Sequence, residues 1–330
     1  MTEKINGLFT AFHPNDRLLR LVEETPEIAW KVAFGPEDVR AHIDQTEVLL
    51  LNNRLCNADM GAALCGSRSK TLSWIHFVSA GVEMGIAMGL PSNIPISCAA
   101  ATNGPVLAEH AIALLLGCLR RFPDIHRAQV AHEWRRFALY ESMRSLEESC
   151  ICIIGLGAVG REVARKLRAF DAEVIAVSRA GTDPGVSKVF ARENLAQALG
   201  QADAVIICTN SDATSRHLIG ADAIAAMKNG AYIINIARGE IIDERAMIEA
   251  LRDGKLAGAG LDVAETEPPE PDNPLWEIDT VILSPHVSGG GSGERTHQRQ
   301  KLLFLENLRR FRKGEQLLNL VNTGDGKYGG

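Results

Sequence analysis

Cys150-Ile151-Cys152-Ile153-Ile154-Gly155-Leu156-Gly157-Ala158-Val159-Gly160 is the stretch on which the fold turns. Five residues of strand character run straight into G-x-G-x-x-G, and a helical pattern follows over 159–170. In that setting each glycine has a task. Gly155 makes the tight turn, Gly157 lets a pyrophosphate approach the backbone, and Gly160 permits close packing of helix on strand. The new helix offers its first N–H groups and positive dipole end to the phosphates. A structural glycine turn in an ordinary strand–helix unit is the plainer alternative.

Outward from this loop the alternation continues. Apolar strands are expected at 173–178, 204–208, 231–236, 258–263 and 280–284, with helices at 192–199, 220–228 and 243–253. Near-continuous apolar strands alternating with helices indicate a parallel sheet covered on both faces, and such sheets take ligands beyond the carboxyl ends of their strands. The first hundred residues repeat the habit more weakly, with strands at 5–9, 28–34, 48–51, 73–78 and 94–97 and helices at 16–24 and 37–43. A long helix over 105–121, with Pro105 in its first turn, carries the chain onward, and an amphipathic helix over 294–313 returns it. The expected architecture is α/β with two domains. A Rossmann doubly wound parallel-sheet cofactor domain (103–289) is inserted in a smaller flavodoxin-like α/β substrate domain (1–102 and 290–330), and 324–330 forms a loose glycine-rich end.

Composition narrows the function classes. Hydrophobic residues make up 46% and charged residues 23%, and the formal net charge is −6, so there is no electrostatic case for nucleic acid or an anionic membrane. The richest apolar run, 111–119, is too short to span a bilayer, and 1–4 shows no apolar signal region. Seven cysteines lie scattered, mostly in apolar runs, as expected for reduced core residues of a cytoplasmic protein. Cys150 and Cys152 without a second pair, and nine histidines without ligand spacing, imply no metal.

Three segments at strand ends carry chemistry. They contain Arg238 after Asn235-Ile236-Ala237, the acids Asp262, Glu265 and Glu267, and His286 after Ser284-Pro285. Alone, each fits a surface ion pair or a turn; together beside a dinucleotide loop they point to catalysis. Glu265 and Glu267 lie two residues apart and face alike in an extended segment, so either suits the histidine. Glu240, Asp243 and Glu244 fit the cap and first turn of the next helix.

Several short motifs recur with these: Ala80-Gly81-Val82, Ala108-Glu109-His110, the glycine loop, Ala237-Arg238-Gly239, Glu267-Pro268 and Ser284-Pro285-His286. With 29 residues from Arg238 to Glu267 and 19 from Glu267 to His286, the chain resembles the D-2-hydroxyacid dehydrogenase family over 72–321. That family includes glyoxylate/hydroxypyruvate reductases and phosphoglycerate dehydrogenase. The resemblance implies hydride transfer between a nicotinamide and a small 2-oxo acid, giving a D-2-hydroxy acid, in a cleft between the domains. Arg238, a planar fork of permanent charge, would bind the substrate carboxylate. His286 would donate the proton, and Glu267, favoured over Glu265 because it directly precedes the proline, would fix the ring's tautomer. Backbone N–H groups of Ser79, Ala80, Gly81 and Val82 would share the carboxylate. Gly155, Gly157, Ala158, Val159, Gly160, Ser178, Arg179, Cys208, Thr209, Ala237, Arg238, Asp262 and His286 would line the cofactor, with Asp262 on the carboxamide. The stretch Cys208-Thr209-Asn210-Ser211-Asp212 departs from the family, where a proline is common. The family also implies a homodimer through the cofactor domain, using 132–146.

Cofactor choice follows from charge. NAD binders place an acid about 20 residues past the glycine loop. Here Ser178 stands there and Arg179 follows, which disfavours a bare ribose diol and favours a 2′-phosphate, so NADP(H) is expected over NAD(H). The alternatives are a relaxed NAD pocket with Arg179 over the adenine, and Asp183 reaching back. Asn53, Trp74, Met84, Met88 and Tyr140 are candidates for a substrate side-chain pocket, though each taken alone reads more readily as core or turn, and Gly289, Gly290, Gly291 and Gly293 fit a hinge or a flexible loop with no part in closure. Rival readings are a formate or phosphonate dehydrogenase, the former disfavoured because it carries glutamine where Glu267 stands, and a dinucleotide-sensing co-repressor on the same scaffold.

Overall fold

A computed structural model describes residues 4–14, 16–65, 71–91, 93–179, 181–210, 214–291 and 293–322. Ser211, Asp212 and 324–330 lie outside the described residues. The chain divides into two compact units, one formed by 1–102 with 292–330 and the other by 103–291.

The first unit is built on a parallel sheet of β1 (Ile5–Thr10), β2 (Ile28–Ala33), β3 (Val48–Leu51), β4 (Trp74–Phe77) and β5 (Ile96–Cys98), in the order β2-β1-β3-β4-β5. All four residues of β3 are fully buried, as an apolar strand covered on both faces must be. The long helix Glu294–Lys313 supplies one cover. Its Phe304 stacks on Trp74 with ring centroids 5.2 Å apart, and Leu308 joins the same core. The Trp74 N–H donates to Ser97 Oγ at 2.9 Å, so the indole is both buried and satisfied.

The second unit holds seven parallel strands: β6 (Cys150–Ile154), β7 (Glu173–Val177), β8 (Lys188–Phe190), β9 (Ala204–Ile207), β10 (Ala231–Asn235), β11 (Leu256–Leu261) and β12 (Val281–Leu283). Their order, β12-β11-β10-β9-β6-β7-β8, starts at β6, grows outward through β7 and β8, then restarts on the other side at β9. The β6/β9 junction is therefore the switch point of a doubly wound sheet, where the following turns diverge and leave a crevice. The helix Ala158–Leu167 buries Gly160, Val163, Ala164 and Leu167. That i, i+3, i+4, i+7 stripe is what its sequence dictates, and burying Val163 and Leu167 contributes roughly 1.5–3 kcal/mol each. The helix Gly104–Leu119 packs so closely on the sheet that a Cβ on Gly260 would lie 2.8 Å from Leu114 Cβ. Asp243 caps the helix Glu244–Arg252 by accepting from Ala246 N at 3.1 Å. Among the described residues no helix is long and apolar enough to cross a membrane, and no group of three or more His, Cys, Asp or Glu could hold a metal ion.

Candidate functional site

The glycine turn leaves β6 at the switch point. Gly155 has φ +96°, which L side chains rarely adopt, and a Cβ there would come within 2.8 Å of the Thr209 backbone on the neighbouring turn. A Cβ on Gly160 would sit 2.1 Å from Gly155 O, so the third glycine is required by packing. Gly157 is different: it is exposed, nothing lies within 4 Å of its missing Cβ, and it precedes the helix Ala158–Leu167 without supplying a side-chain cap. Open backbone at a helix N-terminus fits a pyrophosphate. Ala158 is exposed and Val159 half-buried beside it. Ser178 Oγ lies 3.4 Å from Leu156 N, where it accepts from the glycine loop itself, and Arg179 is exposed next to it. Cys208 N donates to Ile154 O at 2.8 Å, which extends the β6/β9 pairing, and burial pushes its thiol up to about 12.

The acids sort themselves by partner. His286 Nδ1 meets Glu267 Oε2 at 2.7 Å, with both side chains partly open to solvent. Glu265 turns elsewhere: its Oε1 accepts from Arg216 at 3.1 Å and faces His217 Nε2 at 2.7 Å. Glu267 also accepts from Ala264 N at 3.3 Å through its other oxygen, which fixes the carboxylate's orientation.

Arg238 follows β10, half-buried, with its guanidinium donating to Ala237 O at 2.7 Å. The turn that carries it is organised by Asn235, fully buried at the end of an otherwise apolar strand. Asn235 donates to Arg238 O at 2.9 Å and accepts from Ala237 N at 3.0 Å. A Cβ on Gly239 would lie 1.9 Å from Ala264 O, so the arginine turn and the Glu267 segment touch backbone to backbone. Asn235 escaped sequence reasoning; a lone amide closing Ala231-Tyr232-Ile233-Ile234 was the available signal.

Asp262 is the anchor of the histidine loop. Its carboxylate is fully buried and accepts from Ser284 Oγ at 2.5 Å, Val287 N at 2.9 Å and Ser288 N at 2.9 Å, with His110 Nε2 3.3 Å away. Those hydrogen bonds hold the carboxyl below its usual range against the opposing effect of burial. His286 itself sits at φ +52°, a left-handed conformation that costs about 1–3 kcal/mol outside glycine. Its N–H donates to Asp262 O at 2.8 Å, so the same residue holds the strained turn. His110 Nε2 also reaches Ser284 Oγ at 2.9 Å, which gives the Ala108-Glu109-His110 motif a structural task that its sequence did not disclose.

In the five-stranded unit, Ser79, Ala80 and Gly81 form an open turn after β4, and Val82 is buried and begins the helix Glu83–Ala87. Of the pocket candidates, Trp74 takes its core alternative: it is fully buried against Phe304. Met84 and Tyr140 are exposed, and Met88 packs against the core of its unit. Asn53 Oδ1 is buried without a hydrogen-bond partner among the described residues. Gly289, Gly290 and Gly291 follow the histidine loop, with only Gly291 at positive φ, 69°.

A doubly wound sheet with an open glycine turn at its switch point is the α/β arrangement of dinucleotide-binding units, and here a His–Glu pair stands beside an arginine turn. Comparison makes this specific: the sequence pattern described as D-isomer specific 2-hydroxyacid dehydrogenase, NAD binding domain, matches residues 112–288, more than half of the chain. The chain belongs to the D-isomer specific 2-hydroxyacid dehydrogenase family. It is 33% identical over 304 residues to a D-3-phosphoglycerate dehydrogenase of Archaeoglobus fulgidus, covering 90% of this chain and 55% of the relative. It is 31% identical over 222 residues to a glyoxylate reductase of Korarchaeum cryptofilum, covering 65% of each. The chain thus spans about half the length of the phosphoglycerate dehydrogenase it matches. A D-isomer specific 2-hydroxyacid dehydrogenase of Xanthobacter autotrophicus Py2, solved with NADPH and MES, superposes with a TM-score of 0.79 at 26% identity, covering 98% of this chain and 99% of that one.

Proposed function

We propose that the protein reduces a small 2-oxo acid to a D-2-hydroxy acid, and catalyses the reverse, with NADP(H) preferred over NAD(H). The observation that carries this reading is the 2.7 Å contact between His286 and Glu267 on a loop packed beside the Arg238 turn. The nicotinamide, when bound, supplies or accepts the hydride. Arg238 holds the substrate carboxylate in a bidentate grip and polarises the adjacent ketone. His286 holds a proton on Nε2 for the carbonyl oxygen, while Glu267 accepts from Nδ1 and keeps the ring in the donating tautomer. Backbone N–H groups of Ser79, Ala80, Gly81 and Val82 are assigned the rest of the carboxylate. Ser178 and Arg179, without an acid at the ribose position, and the NADPH bound by the Xanthobacter relative support the cofactor preference.

The test is a panel of 2-oxo acids (glyoxylate, hydroxypyruvate, pyruvate, phenylpyruvate) with NADPH and NADH oxidation followed by absorbance. Arg238→Ala should lower kcat/KM by about 10³-fold while dinucleotide affinity changes less than about threefold. No oxidation with any 2-oxo acid despite tight dinucleotide binding would overturn the reading in favour of a dinucleotide sensor.

The same reading includes a homodimer through the dinucleotide-binding unit. Six large apolar side chains on one segment are exposed: Phe122 58%, Ile125 37%, Val130 66%, Trp134 93%, Phe137 81% and Tyr140 76%. So many exposed apolar side chains within one stretch of the chain support a protein partner. Light scattering should give twice the chain mass, and a fully active monomer would remove this part of the reading.

A further inference from the structure

Asp183 is the only carboxylate in residues 178–187, the connection between β7 and β8. In a doubly wound sheet that connection borders the ribose next to the pyrophosphate. An acid there would bind the diol of NAD(H) and repel the 2′-phosphate of NADP(H). Asp183 is not left available for either. Its Oδ2 is bound by the Arg161 guanidinium at 2.5 Å, and its Oδ1 accepts from Gly185 N at 2.7 Å. The carboxylate is mostly shielded, with 16% of the side chain exposed against 40% for Arg161. The turn rests on the body of the dinucleotide helix: a Cβ on Gly185 would lie 3.6 Å from Ala164 Cβ and 3.6 Å from Arg168 Cδ. Ala164 is six residues past Ala158, about 9 Å along the axis from the end that faces the phosphates. Arg161, Ala164 and Arg168 share one helical face, so the ion pair and the Gly185 contact together fix the turn against that face. Ser178 meanwhile stays on the glycine loop through Leu156 N.

We propose that Arg161 is a positioning residue for cofactor selectivity. By holding Asp183 against the dinucleotide helix, it withdraws the one carboxylate of the β7–β8 connection from the ribose and leaves that position to Ser178 and Arg179. This rests on the NADP(H) preference proposed above and adds a residue that sequence motifs do not mark. Arg161 lies one position past the glycine fingerprint, and its partner is 22 residues downstream.

The experiment is equilibrium titration of NADPH and NADH by nicotinamide fluorescence, which needs no turnover. Wild type should bind NADPH more tightly. Arg161→Ala should lower the NADPH-to-NADH affinity ratio by about tenfold, the scale of one released carboxylate facing a phosphate through partly screened solvent. Asp183→Asn alone should hold the ratio or raise it, and Arg161→Ala with Asp183→Asn should return it to within about twofold of wild type. Arg161→Gln, which keeps helix propensity, should shift the ratio as Arg161→Ala does and serves if the alanine variant fails to fold. An unchanged ratio in both Arg161 variants overturns the inference. So does a fall that Asp183→Asn does not reverse, because Arg161 would then be touching the phosphate itself. Wild type preferring NADH overturns the cofactor reading directly, and the inference with it; that result is read before any variant is made.

Discussion

Two histidines, one in each unit, place the same side chain in opposite environments. His76 lies on β4 at 2% exposure among Trp74 and Phe304, with ring centroids 5.8 and 5.4 Å away, and its Nδ1 meets Ser97 Oγ at 2.8 Å. Burial without a counter-charge pushes its imidazole down to about 3, so it is a neutral core residue. His286 is half open to solvent, stands on a left-handed backbone and faces a carboxylate. Regular strand geometry and full burial mark the first as part of the fold. Strain held by a buried anchor, with a charged partner, sets the second apart from the core and is what the proposed proton donor requires.

The sharpest way to break this contrast is to delete each ring. His286→Ala should lower kcat by about 10³-fold or more while leaving the unfolding midpoint nearly in place, since its ring fills no cavity. His76→Ala should do the reverse, costing about 2–4 kcal/mol of stability with catalysis largely retained in what folds. Equal damage by both routes would erase the distinction. Next comes the pair of acids. Glu267→Gln should reduce kcat by about 10–100-fold, whereas Glu265→Gln, which disturbs only the Arg216 and His217 contacts, should change it less than about threefold. The smallest effect is on acid stability. Below about pH 6.5 the unfolded chain protonates His76 and the folded protein does not, so stability present at neutral pH is lost as pH falls toward 3. Between pH 7 and 5 the loss should be about 1–2 kcal/mol by urea unfolding, and His76→Gln should flatten it.

Much of this was legible beforehand where periodicity alone decides. The strands at 48–51 and 150–154 and the helix at 294–313 fall where their apolar patterns put them. β8 went unseen because three residues, Lys188–Phe190, give no alternation to detect. The apolar pattern puts β11 at 258–263, whereas it spans Leu256–Leu261, because Gly258 packs on Thr280 and Tyr232, Gly260 packs on Leu114 and Ile234, and neither glycine carries a hydrophobic signal. Helices at Ala58–Cys65, Phe122–Val130 and Arg136–Tyr140 were also missed; the latter two lie in the segment whose apolar side chains face solvent, so no core-facing stripe marks them. At the candidate site, residue types and spacing single out Arg238, Glu267 and His286, and the structure pairs Glu267 with His286 beside the Arg238 turn. Types and spacing could not show Asn235 tying the arginine turn, Asp262 gripping the histidine loop or Arg161 seizing Asp183, because those contacts exist only once the strands are in order.

The first unit is closed by a helix, Glu294–Lys313, that follows the inserted unit in the chain. Trp74, made early, finds Phe304 only after the intervening 103–291 has emerged. At roughly 5–20 residues per second on a ribosome, that is a wait of roughly 10–40 s, in which the inserted unit has its whole sheet in hand and the outer one lacks a cover. The five strands made first therefore wait for the helix Glu294–Lys313 to cover one face of their sheet, whereas the inserted unit already holds all seven of its strands.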